Sequence, residues 1–135
     1  MIEEDKKFTL TLYPLSMSIC RMPPNAPFPQ WVKGIQIIFI SHTPDELCVI
    51  CPEVVLPKGI PGERNWRLLR IEAIFDFSEV GVLYTISKAF ADANVSILTI
   101  STFDTDYFLI RDKDLERALA ALYKAGHRVN ILKEK

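Results

Sequence analysis

Long apolar runs are missing from this sequence of 135 residues. The run Ile37–Ile40 falls far short of the roughly 20 residues a membrane helix needs, so no membrane partner is expected. A charge excess is missing too: 16 basic residues are scattered among 17 acidic ones, for a formal charge of −1. Without a basic arm or an Arg/Lys run, nucleic acid is not an expected partner. Cysteine is scarce and odd in number, with only Cys20, Cys48 and Cys51. That excludes a disulfide framework and suits a reducing cytoplasm. Met1–Lys7 is charged, with no apolar segment of signal-peptide length behind it, which fits the same location.

The usual signatures of catalysis are equally thin. His42 lies in a polar turn, and His127 at a helix end, where a cation suits the dipole. Ser16, Ser18 and Ser41 lack the strand-turn-helix setting of a nucleophile. Gly59-Ile-Pro-Gly62 lacks the lysine and following hydroxyl of a phosphate loop. Cys48-Val-Ile-Cys51 has metal-ligand spacing, but its spacer is two β-formers, and residues three apart on a strand face opposite sides. No metal, cofactor or catalytic residue is assigned.

What is present is a composition of 49% apolar and 24% charged residues, that of an ordinary globular chain rather than a disordered one. Phe8–Ile19 reads as one long strand interrupted near Pro14, which marks an edge or a bulge. Arg21–Gln30 carries four prolines and has to be a loop, with at most one helical turn over Pro29–Lys33. Ile35–Ser41 and Leu47–Cys51 flank His42-Thr-Pro-Asp-Glu, a hairpin signal in which Pro44 and Asp45 suit a type I turn. Glu53-Val-Val-Leu allows one further helical turn, and Lys58–Asn65 reads as a surface loop between the halves. The organisation expected is therefore residues 1–64 and 65–135, packed as one compact unit.

The second half is cleaner. Trp66–Ile74, Phe77–Ala91, Val95–Ser101, Thr105–Arg111, Leu115–Ala125 and His127–Leu132 read as strand, helix, strand, strand, helix, strand. That is the β-α-β-β-α-β order of an α+β, ferredoxin-like fold, an antiparallel sheet with helices on one face. Val95–Ile100 is β-rich on both faces, as a central strand would be. Asp76 or Ser78 is placed to cap the first helix, Phe77 to staple it, and Gly81 to sit in its first turn. Asp112 or Asp114 begins the last helix and Gly126 ends it. Thr102, Asp104, Thr105 and Asp106 cluster in a hairpin turn, where such residues either bind an amine or cap their own backbone.

Ala73-Ile-Phe-Asp-Phe-Ser-Glu-Val-Gly-Val-Leu and Ile100-Ser-Thr-Phe-Asp-Thr-Asp-Tyr-Phe-Leu-Ile together resemble the ACT domain. More narrowly, the chain resembles small stand-alone proteins with two ACT modules, akin to the regulatory part of aspartate kinase. Leu12-Tyr-Pro-Leu-Ser and Ser41-His-Thr-Pro-Asp-Glu-Leu carry the likeness into the first half, whose helices are nearly lost to prolines. The resemblance implies tandem modules that bind a small effector, a free amino acid above all, at their interface, in a homo-oligomer. The ligand-binding residues it implies are Asp76, Phe77, Ser78, Glu79, Val80, Gly81 and Val82, with Ser101, Thr102, Phe103, Asp104, Thr105 and Asp106. A ligand carboxylate would lie at the helix start and its ammonium against Asp76, Asp104 or Asp106. Two other readings stay open: a ligand-free self-association module, and a small enzyme using Asp104 or Asp106.

Overall fold

The computed structural model describes residues 6–73 and 80–133. In chain order the elements are β1 (Thr9–Met22), β2 (Phe39–His42), β3 (Leu47–Pro52), β4 (Gly62–Ile71), α1 (Val82–Asp92), β5 (Ile97–Ser101), β6 (Asp106–Arg111), α2 (Leu115–Lys124) and β7 (Arg128–Ile131). From β4 to β7 this is the expected strand-helix-strand-strand-helix-strand order. Short 3-10 turns at Gln30–Val32 and Glu53–Val55 are the single helical turns that the prolines allow.

The chain divides into two compact units, Leu15–Trp66, and Met1–Pro14 together with Arg67–Lys135. The division follows β1, which runs unbroken through Pro14 instead of halting there. Pairing with β7 covers Thr9–Leu12, and pairing with β3 begins at Met17. The proline thus falls in a stretch where neither ladder needs its missing N–H.

In the larger unit the strands lie in the order β7, β1, β4, β6, β5. β7 does not lie beside β4. The first residues of β1 run between them, parallel to β7 from Thr9↔Arg128 to Leu12↔Ile131. That parallel pair departs from the all-antiparallel sheet expected, whereas β5 and β6 form the expected antiparallel hairpin. β5 proves to be an edge strand, not a central one. Among the described residues it pairs only with β6, its burial is partial, and Leu98 is 42% exposed. The strands with buried residues on both faces are β1, through Leu10, Thr11 and Leu12, β4, through Leu68 and Leu69, and β6, through Phe108, Leu109 and Ile110. An apolar run on an edge strand and one on a central strand look alike in sequence.

Helical spacing explains how α1 and α2 cover one side of this sheet. Val82, Ile86, Ala89 and Phe90 form one stripe, Ala118 and Leu122 the other, and both pack into a core with Leu10, Leu12, Leu69, Ile71, Phe108 and Ile110. Asp114 occupies the N-cap of α2, yet its carboxylate takes the Arg117 guanidinium at 3.2 Å and caps no backbone N–H. Asp112 pairs with Arg67 at 3.4 Å.

In the smaller unit β2, β3 and the second part of β1 form an antiparallel set, with a turn at Thr43–Glu46 closed by Thr43 N to Glu46 O at 2.9 Å. The Thr43 hydroxyl also accepts the N–H groups of Asp45 and Glu46, so the turn is held by its own side chain. Gly62–Asn65, expected in a loop, already belongs to β4. Cys20 and Cys51 are buried in this unit's own core, while Cys48 is half-buried on the other face of β3. Burial holds all three thiols above the usual cysteine range, helped at Cys20 by Cys51 and Cys48 and at Cys48 by Glu46, and opposed at Cys51 by Ser18 and Arg64. Among the described residues no group of three or more His, Cys, Asp or Glu stands as a metal site.

Candidate functional site

The β5–β6 hairpin fixes half of the expected binding residues. Its register sets Ser101 opposite Asp106, and the Ser101 hydroxyl donates to the Asp106 carboxylate at 2.6 Å. Thr102 N–H donates to the Thr105 carbonyl at 2.9 Å, and Thr105 N–H returns to the Thr102 hydroxyl at 3.4 Å. The buried Thr105 hydroxyl donates to the Ile71 carbonyl at 3.0 Å, which pins the turn to the end of β4. These residue types hold the turn with their own side chains, as short hydroxyl and carboxylate groups do. Phe103 stands 78% exposed at its tip, and Asp104 is exposed beside it.

The other half begins where β4 ends. Asp76, Phe77, Ser78 and Glu79 lie outside the described residues. Val80 is 65% exposed, and Val82 is buried in the core. The helix starts later than the sequence suggests, with Gly81 not inside its first turn but at its N-cap, at φ +84°. That left-handed backbone is one that glycine adopts without a steric penalty. Among the described residues no side chain caps this helix end; Asp76 and Ser78, the expected caps, lie outside them. Gly81 instead offers its carbonyl, which accepts Thr85 N–H at 2.9 Å and the Thr85 hydroxyl at 2.8 Å. Among the described residues the first amides of α1 therefore find neither an intrahelical partner nor a capping side chain, and the positive end of the helix dipole lies among them.

Two groupings escaped the sequence reading. On the sheet face away from the helices, the Glu72 carboxylate accepts the Thr11 hydroxyl and, at 3.3 Å, the Asn130 amide. Beside them the Tyr13 phenol hydrogen-bonds Arg70 and raises its pKa, while burial, then Tyr13, raises that of Tyr107, with a smaller push from Asp104. Residues on strands so distant in sequence meet only through the sheet order. The second grouping is a groove of about 490 Å³ over α1 and α2, which shares no residue with the expected site.

His127 lies in that groove, and its state reverses the cationic role expected at a helix end. It is 3% exposed, and its Nδ1 accepts the N–H of Phe8 at 3.0 Å. An accepting Nδ1 requires the neutral ring. Burial, then the nearby Lys7 ammonium, pushes its pKa below the ordinary 6.5. The unfolded chain therefore takes up the proton first, so stability is full above about pH 6.5 and falls as the pH drops towards the folded-state value. Urea midpoints measured downward from neutral pH should show this acid limb. His127→Gln, which keeps an acceptor but does not titrate, should flatten it; an unchanged limb in that variant would assign it to other groups.

Residues 62–124 match the family model of the ACT domain. Residues 16–59 match a second family model, described as an N-terminal domain. No curated protein sequence matches the chain. Among solved structures, a protein from Agobacterium tumefaciens superimposes with a TM-score of 0.88 at 26% identity, over 96% of both chains. The ligand-free regulatory subunit of aspartate kinase from Thermus thermophilus gives a TM-score of 0.58 at 16% identity, over 84% of this chain and 93% of that one. Aspartate kinase from Synechocystis gives 0.66 at 17% identity, over 96% of this chain and 28% of that one. The last two are likenesses of fold.

Proposed function

From the match of residues 62–124 to the ACT-domain model, we propose that this chain is a non-catalytic regulatory protein that binds a small-molecule effector, with a free amino acid as the first candidate. The observation that carries the reading is the start of α1, where Gly81 holds the N-cap and no side chain among the described residues caps the first amides, which suits them to a ligand carboxylate. Asp76 and the exposed Asp104 are the carboxylates proposed for the ligand ammonium; Asp106 already takes the Ser101 hydroxyl. Binding would act by population shift, favouring one arrangement of the surfaces a partner engages. The fold of aspartate kinase regulatory subunits supports a regulatory role, and residues 1–64, with their single helical turns, are proposed as a reduced companion module. A homo-oligomer, working in the cytoplasm, belongs to the same proposal, with the exposed edge of β5 as the surface for self-association. Among the described residues no helix is long and apolar enough to cross a membrane.

Calorimetry against the twenty amino acids tests this directly. A saturable heat for one or a few of them is expected, lost in Gly81→Leu and weakened in Asp76→Ala. Gly81→Leu also strains a left-handed backbone, so Asp76→Ala is the variant that isolates recognition. Flat traces for all twenty would remove the amino-acid reading and leave self-association as the stronger one.

A further inference from the structure

The groove between α1 and α2 owes its depth to small side chains. Ala89 and Ala93 of the first helix and its end, and Ala121 and Ala125 of the second, all line it. Tyr84 adds an aromatic wall, and at about 490 Å³ the space falls within the range of sites that hold small organic ligands. A floor of alanines alone is no more than a packing feature. The polar groups around it give it direction.

His127 contributes to the same lining. With Nδ1 accepting from Phe8 and the ring neutral, the proton sits on Nε2, and among the described residues nothing accepts it. The ring is 3% exposed, yet Nε2 is not among the buried atoms left without a partner, so this N–H faces open space rather than a sealed core. Lys7 is held beside it. Its Nζ donates to the Ala125 carbonyl at 2.8 Å and its stem lies against Gly126, which leaves two ammonium hydrogens unspent at that contact. Lys124 stands at the same end, while Lys88 is engaged by Asp92 at 2.7 Å. The carbonyl end of α2 would by itself repel an anion, and the Lys7 contact with Ala125 offsets that.

We propose that this groove is a second small-molecule site, for an organic carboxylate with a compact apolar body. The carboxylate accepts from His127 Nε2–H and the Lys7 ammonium, and the apolar part lies on the alanine floor against Tyr84. Size and charge match: three lysines and one carboxylate line the groove, together with four alanines and Tyr84 that offer an apolar patch. The site is independent of the effector site at Gly81 and does not require it.

Benzoate is the probe, with benzyl alcohol as its neutral counterpart and inorganic phosphate as a bodiless anion. Ring signals of His127 and Tyr84 are followed by NMR in the full chain. His42, bonded through Nε2 to the Pro24 carbonyl at 2.9 Å, serves as the internal reference. Benzoate is expected to shift His127 and Tyr84 saturably while leaving His42 still, and to raise the pH midpoint of His127. Lys7→Gln should weaken binding severalfold, and Ala121→Leu, which fills the floor, by at least about tenfold. Equal binding of benzyl alcohol or of phosphate overturns the ligand class. The absence of a saturable shift, or full binding by Ala121→Leu with a native spectrum, overturns the site. A failure here leaves amino-acid calorimetry at the α1 start unaffected, so the two proposals stand or fall separately.

Discussion

Phe108→Ala should lower the unfolding free energy of the larger unit by about 3–5 kcal/mol. Phe108 is fully buried on β6, where it meets Phe90 of α1 edge-on with ring centroids 5.8 Å apart. Truncation removes the transfer energy of a whole ring and leaves a cavity where sheet and helix meet, and neither side is able to collapse into it freely. The contact geometry itself is worth about 0.5–1.5 kcal/mol, so the double variant with Phe90→Ala should cost less than the sum of the two singles. With total stabilities near 5–15 kcal/mol, the single variant forfeits a large share. Urea unfolding monitored by circular dichroism is the measurement. A loss below about 1 kcal/mol would mean that Phe108 does not pack as described.

Gly62→Val is the second large effect, and it acts through space rather than backbone strain. A Cβ built on Gly62 would stand 2.8 Å from the Ile19 carbonyl oxygen and 3.0 Å from the Cys20 Cβ. Both belong to β1, so no flexible side-chain end is available to move aside. The ladder between β4 and β1 has to open locally, at a cost of about 1–3 kcal/mol for overpacking. Gly59→Ala is the control: its Cβ meets nothing within 4 Å, so it carries only the conformational strain of φ +89°. A variant at Gly62 no less stable than the wild type would show that β1 and β4 do not approach so closely there. The same substitution should not alter binding at α1 except through the folded fraction.

Much of the fold was legible because its signals are local. The turn at Thr43–Glu46 is written in Pro44, Asp45 and a threonine that caps its own turn, all within four residues. The helices follow from apolar spacing, and Gly126 at φ +91° stops α2 as its position suggests. The register of β7 on β1 carries no comparable mark, because Thr9 and Arg128 are joined only by the sheet. β5 looked central because Ile97, Leu98 and Ile100 are apolar, and periodicity does not record how many neighbours a strand has. The cluster of Thr102, Asp104, Thr105 and Asp106 is legible as a turn, and the hydrogen bonds of Thr102, Thr105 and Asp106 explain why those residue types occur there. His127 was misread as a cation because its acceptor role depends on Phe8, 119 residues away. The alanine groove was invisible for a simpler reason. Small residues on two helices signal depth only after the helices are set side by side.

The route of β1 has a consequence for how the molecule is made. Its first residues leave the ribosome 119 positions before the strand they pair with, which at ordinary speeds of synthesis is a wait of roughly 6–24 s. The hairpin of β2 and β3 closes over a handful of residues and has no such delay. Throughout that interval Leu10 and Leu12 have no finished core to enter, so the nascent chain presents an apolar, half-paired segment to whatever surrounds it. Chaperone dependence during translation should therefore concentrate at residues 8–12.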